Sequence, residues 1–200
     1  IMQSKDSIEI GRLLRSGTTG FVAGCSVSQL DAPVFGGLVR APLGNGYQVY
    51  GLIYDIHIDD DGLVRQLVTS DNVSPEVIAD NRERRIVPVE MSVLTVGYEE
   101  SGKVSHLLPP RPPLSLDVIY KCCDDDLIRF TGAGRFGYFR HILRAQDAPI
   151  GEMLATHVQQ AAQAHKNAEW QDKAVKEIIT LLRDDYPTLM SVLGALGETV

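Results

Sequence analysis

The sequence predicts an α+β protein, with a small β-barrel over residues 1–117 followed by an all-helical bundle over residues 118–200. Three observations carry this. From Ile8 the chain reads as short apolar or alternating stretches broken by Gly, Pro, Asn and Asp, a pattern of strands and tight turns that suits a barrel or sandwich better than a parallel sheet. The run Pro109-Pro110-Arg111-Pro112-Pro113 fits neither helix nor central strand, because each proline fixes φ and removes a donor, and it marks the exit from the β part. From Ile150 onward the apolar positions recur at helical spacing.

The strand candidates follow in order as IEIGRLL, TGFVAGCSV, FGGLVRAPL and YQVYGLIYDIHI. The clearest is Gln48–Ile58. Val49, Gly51 and Ile53 alternate with Tyr50, Leu52, Tyr54, Ile56 and Ile58, and both sets are largely apolar, which predicts a strand covered on both faces. Gly44-Asn45-Gly46 before it is a turn signal, since these residues accept positive φ cheaply. Asp59-Asp60-Asp61-Gly62 ends it in the same way, and LVRQLVT resumes. Ser74 is placed as the N-cap of a helical insertion, with Pro75 at its first position, running to Arg85. Strands return over Val87–Gly97, and Glu99-Glu100-Ser101-Gly102 turns the chain into KVSHLL.

The C-terminal stripes are Ile150, Met153, Leu154, Val158 and Ala161; then Val175, Ile178, Ile179 and Leu182; then Leu189, Val192, Leu193 and Leu196. They predict three amphipathic helices, with Pro187 in the first turn of the last. Helices this short are marginal alone in water, so these faces require a partner surface.

Bulk composition is that of an ordinary globular protein. Hydrophobic residues make up 44% and charged residues 22% of 200 residues. No apolar run approaches the roughly 18 residues of a spanning helix. The first residues, IMQSKDSIEI, lack the apolar centre of a signal peptide, so the expectation is a cytoplasmic protein without a membrane role. The net charge of −7 speaks against a surface that grips nucleic acid everywhere. Neither part is globally basic: residues 1–120 carry 10 basic against 15 acidic groups, and residues 121–200 carry 9 against 11. Cys25, Cys122 and Cys123 lack zinc-type or redox spacing and read as reduced, buried thiols.

The opening IGRLLRSGTTGFV, the strand VYGLIYDIHI, the insertion SPEVIADNRERR and the exit through LLPPRPPLSLDVIY together resemble the HAS barrel. That small β-barrel precedes the motor domain of HerA-type ATPases and of the alpha and beta subunits of the rotary ATP synthase. The likeness covers about 110 residues. It implies a barrel that assembles subunits into the crown of a ring. The sequence departs from the family where ATP hydrolysis would begin: no G-x-x-x-x-G-K-[ST] occurs, and the roughly 80 residues after the barrel are too few for a motor domain. The resemblance thus implies assembly and gives no support to hydrolysis.

Other constellations are weak. Gly132-Ala133-Gly134-Arg135-Phe136-Gly137 spells G-x-G-x-x-G, and Leu127-Ile128-Arg129-Phe130 before it could form a short strand. Only helical pattern follows, without the returning strand of a dinucleotide fold, so the segment reads as a turn. Asp59-Asp60-Asp61 and Asp124-Asp125-Asp126 lack calcium-loop spacing and read as solvated turns, the five histidines are too scattered to share a metal, and no nucleophile–base arrangement points to an enzyme. No cofactor is expected.

The most distinctive stretch is Leu127–Ala145, which holds Arg129, Arg135, Arg140 and Arg144 with His141 and no acidic residue, interleaved with Phe130, Phe136, Tyr138 and Phe139. Arginines beside aromatics suit single-stranded nucleic acid or an acidic partner, so Arg129, Arg135, Tyr138, Arg140 and Arg144 are the candidate contacts. The competing reading puts Phe136, Phe139, Ile142 and Leu143 in a core and turns Arg140 and Arg144 to solvent or to Asp124-Asp125-Asp126. Two functions remain: a non-enzymatic assembly module that associates with itself, a ring-type ATPase or another protein, or an accessory nucleic-acid-binding protein using residues 127–145.

Overall fold

A computed structural model describes residues 8–26, 33–58, 74–77 and 88–198. Its strands are β1 (Ile8–Ser16), β2 (Gly20–Ser26), β3 (Leu38–Gly44), β4 (Tyr47–Ile58), β5 (Pro88–Glu100), β6 (Lys103–Ser105) and β7 (Val118–Lys121). All their pairings are antiparallel. The ladder runs β1-β2-β5-β4-β3-β7 and returns to β1, closing a six-stranded barrel that leaves no open sheet edge in the ring. Beyond the stretch of β5 that pairs with β2, β6 takes over as its partner.

Local turn chemistry builds the hairpins. Asn45 and Gly46 join β3 to β4 with φ of 52° and 70°, and Ser101 and Gly102 join β5 to β6 with φ of 52° and 80°. Two successive positive φ values make the mirror-image turn whose twist matches the flanking strands. Of the expected insertion, Val77 N donates to Ser74 Oγ at 3.4 Å, as an N-cap serine predicts, and 75–77 are helical. The rest of it, the Asp59-Asp60-Asp61-Gly62 turn and LVRQLVT lie outside the described residues.

The barrel ends later than residue 117. β7 lies beyond that boundary and pairs with both β1 and β3, so it supplies the strand that closes the ring, and the barrel runs to Lys121. The hydrophobic stretch after the prolines is this strand; what makes it part of the barrel is its pairing with segments far away in sequence. The proline-rich stretch is also more than an exit. It straps β1, with Leu116 N donating to Leu13 O at 2.8 Å and Leu13 N to Asp117 O at 2.9 Å, while Tyr47 Oη donates to Arg111 O at 3.1 Å.

Five described helices follow the barrel: α1 (Asp124–Gly132), α2 (Phe139–Leu143), α3 (Ile150–His165), α4 (Ala168–Leu181) and α5 (Tyr186–Glu198). The last three are those the periodicity predicts. α3 is central, touching each of the other four. Asn167 caps α4 by accepting from Glu169 N, and Lys166 ends α3 in the left-handed region.

β4 explains how the two parts are joined. Val49 and Ile53 point into the barrel among Leu13, Phe21, Met91 and Ile119. Tyr50 and Leu52, on the other face, lie in a second core with Phe130, Tyr138, Ile142, Leu154 and Val158 from the helices. The two-sided apolar pattern of this strand is therefore a barrel lining on one side and a helix platform on the other. Gly97 in β5 makes the close approach of α1 feasible: a Cβ there would meet Ser105 O at 2.5 Å and Phe130 Cε2 at 2.9 Å. Gly97→Ala is expected to destabilise the fold by about 1–3 kcal/mol through overpacking, measured by urea unfolding. A loss below a few tenths of a kcal/mol would mean that α1 shifts freely on the barrel.

Candidate functional site

The residues marked by sequence fall into two groups once their partners are known. Arg129, Arg140 and Tyr138 are used within the molecule. On α1, Arg129 donates to Asp126 Oδ1 at 2.7 Å and to Tyr50 Oη at 3.1 Å, and it lies 3.5 Å from Glu99 Oε2. Tyr50 Oη donates to Glu99 Oε2 at 2.7 Å, and Gln48 Nε2 donates to the same oxygen at 2.8 Å. From β3, Arg40 Nε donates to Asp126 Oδ2 at 3.2 Å. Burial first, and then the bond and charge of Glu99, push the Tyr50 hydroxyl far above its usual pKa, so it remains a donor. This network ties α1 to the barrel wall. Asp126, expected in a solvated triple-acid turn, is only 5% exposed, whereas Asp124 and Asp125 are exposed.

Tyr138 is 0% exposed, so its ring cannot stack on a base. It packs against Phe130 at 5.2 Å and Phe139 at 4.8 Å between ring centroids, and its hydroxyl meets His157 Nε2 at 3.1 Å. The aromatics that invited a nucleic-acid reading are the junction of barrel and helices. Arg140 donates to His106 O at 2.8 Å, and His141 Nε2 reaches the same carbonyl at 2.8 Å. The glycine-rich motif belongs to this turn. It follows a helix rather than a strand, Gly134 has φ of 62°, and a Cβ there would lie 3.3 Å from His106 Nδ1. Its glycines let the turn pass close to His106, and they cradle no phosphate-binding helix of useful length.

Arg135 and Arg144 are exposed and make no ion pair or hydrogen bond among the described residues. Arg144 lines a cleft of about 650 Å³ between the barrel and the end of α2, and Arg15 from β1 lines the same cleft. Phe21, Val93 and Thr95 line its barrel side, Tyr54, Leu94 and Leu108 its flanks, and His141 the side of α2. The hydroxyl of Thr95 is buried without a hydrogen-bond partner among the described residues. Burial, followed by the neighbouring Arg140 and Arg144 charges, lowers the His141 pKa below its ordinary value, leaving the imidazole neutral at neutral pH.

Sequence reasoning found Arg144 but missed Arg15, which sits far away in sequence beside an unremarkable Ser-Gly-Thr-Thr turn. It also missed Arg40, Glu99 and His157. The spacing Asp126-x-x-Arg129 was the one available signal, since an i, i+3 pair lies on one helix face. Cys25 and Cys122 are buried and Cys123 is partly so, all three as thiols. Among the described residues no group of three or more His, Cys, Asp or Glu is arranged to hold a metal, and no helix is long and apolar enough to cross a membrane. Neither the models of known protein families nor the curated proteins match the chain.

Proposed function

We propose that this chain is a non-enzymatic assembly module of the cytoplasm, with the barrel as the part that self-associates and the helices as a bundle around α3 that docks a protein such as a ring-type ATPase. The observation that carries this reading is Leu116. It lies in the proline-rich strap, 72% exposed, with φ of 72°. Asp117 N donates to Leu114 O at 3.1 Å across it, and Leu114 N donates to Asp117 Oδ2 at 2.8 Å, so a tight turn holds it in place. Its position in that turn favours glycine, and a leucine there costs about 1–2 kcal/mol of backbone strain in addition to exposed apolar surface. Leu114 is 67% exposed in the same turn and Leu14 is 47% exposed on the strand it straps. Two leucines displayed by a strained, well-bonded turn, with a third beside them on the strand, fit a contact surface better than they fit an isolated chain.

The resemblance to the HAS barrel supports the same conclusion, since ring assembly is the barrel's part in that family. Ile179, Leu181, Tyr186 and Met190, exposed where α4 gives way to α5, give the helical part an apolar surface of its own.

Leu116→Gly tests the reading with two opposed readouts. Unfolding free energy should rise by about 1 kcal/mol as the strain is relieved. Light scattering coupled to size-exclusion chromatography should show the wild-type chain as a discrete oligomer and the variant shifted toward monomer. A wild-type chain that stays monomeric at every concentration, or a variant of unchanged mass, would remove the barrel from assembly.

A further inference from the structure

The cleft between the barrel and α2 has chemistry that the assembly reading does not use. Its volume of about 650 Å³ lies within the roughly 300–1,000 Å³ usual for small-ligand sites. Its described lining contains two arginines and no carboxylate, in a chain whose net charge is −7. A local excess of positive charge against that background is selective for anions. Neither guanidinium is engaged with a carboxylate or carbonyl among the described residues, whereas Arg12, Arg40, Arg129, Arg140 and Arg183 each bond another group. His141 is neutral at neutral pH and donates to His106 O, so the charge of the cleft rests on Arg15 and Arg144. The remaining lining carries apolar side chains, with Tyr54, Leu94 and Leu108 partly or well exposed around it, beside the polar Ser16, Thr19 and Gln146.

We propose that this cleft binds a small organic anion, with Arg15 and Arg144 holding the anionic head and Tyr54, Leu94 and Leu108 covering an apolar body. Guanidinium groups suit such a head because they present several donors in a planar fork and cannot lose their charge. The apolar flank excludes inorganic anions as the best occupants, since a bare phosphate would leave most of the cleft surface uncovered. The site does not depend on self-association, so it stands or falls separately from the assembly reading.

The test uses the full chain and the fluorescent probe 8-anilinonaphthalene-1-sulfonate, whose sulfonate and aromatic body match the two halves of the cleft. Its uncharged counterpart, N-phenyl-1-naphthylamine, separates the contribution of charge. The expected result is saturable binding of one sulfonate probe per chain, weakened at least tenfold in the double variant Arg15→Gln/Arg144→Gln, with binding of the uncharged probe unchanged. Octanoate should displace the sulfonate probe at concentrations where inorganic phosphate does not. Both arginines are exposed, so the double variant should melt at the wild-type temperature, which a thermal scan checks. Equal sulfonate-probe binding in wild type and double variant would overturn the proposal, as would displacement by phosphate as effective as by octanoate.

Discussion

Asp126→Ala is expected to reduce unfolding free energy by about 3 kcal/mol in a urea titration. Asp126 accepts from Arg40 on the barrel and from Arg129 on its own helix, and its side chain is 7% exposed against 14% for Arg40. In so dry a setting the loss of one ionic partner costs more than the pair contributes, because the remaining charge keeps its desolvation penalty without the carboxylate. Arg40 would keep its bond to Gln48 and its place over the Tyr120 ring, at 5.2 Å, which holds the loss toward the lower end of the usual 3–5 kcal/mol. Arg129→Ala should cost about 1 kcal/mol or less, because its side chain is 47% exposed and water replaces much of what it loses. Equal costs for the two variants would show that the network owes its strength to Arg129 at the surface and not to the buried Arg40–Asp126 pair.

That asymmetry explains which features the sequence could disclose. The hairpins at Asn45-Gly46 and Ser101-Gly102, the N-cap at Ser74 and the three C-terminal helices depend on residues within a few positions of one another, so their chemistry is written locally. The two apolar faces of β4 announced two coverings, though not what the second would be. Burial of polar groups is different in kind. Asp126 differs from Asp124 and Asp125 only in facing Arg40, which approaches from a strand far away in sequence. Tyr138 belongs to the same Arg-and-aromatic pattern as Arg135, yet one fills the core and the other meets solvent. Composition can show that arginines and aromatics are interleaved, but whether they meet a ligand or each other is decided by what α1 and α2 pack against. The Arg15–Arg144 cleft was invisible for the same reason.

The buried histidine of α3 leads to the second large effect. His157 is 0% exposed, and its Nε2 lies at hydrogen-bond distance, 3.1 Å, from Tyr138 Oη, a phenol that burial keeps protonated far beyond neutral pH. Its Nδ1 has no hydrogen-bond partner among the described residues, so the folded ring has little to hold a second proton. Burial lowers the His157 pKa from 6.5 to about 4, with the Gly36 backbone nearby offsetting a small part of it. As pH falls from 6.5 to 4, the unfolded chain takes up a proton that the folded chain refuses, so stability falls with it. At about 1.4 kcal/mol per pKa unit the total loss is about 3 kcal/mol, complete once the pH passes below the folded value. His106, His141 and His165 are also held below their ordinary values by burial and act in the same direction, so the measurement must isolate His157. His157→Gln does this, since the amide has both a donor and an acceptor for Tyr138 Oη but does not titrate. Urea unfolding of both proteins between pH 7 and pH 4 should show the wild type losing about 3 kcal/mol more than the variant. Parallel losses in the two proteins would place the acid sensitivity of the fold elsewhere, and the contact of α3 with the barrel would then be indifferent to protonation.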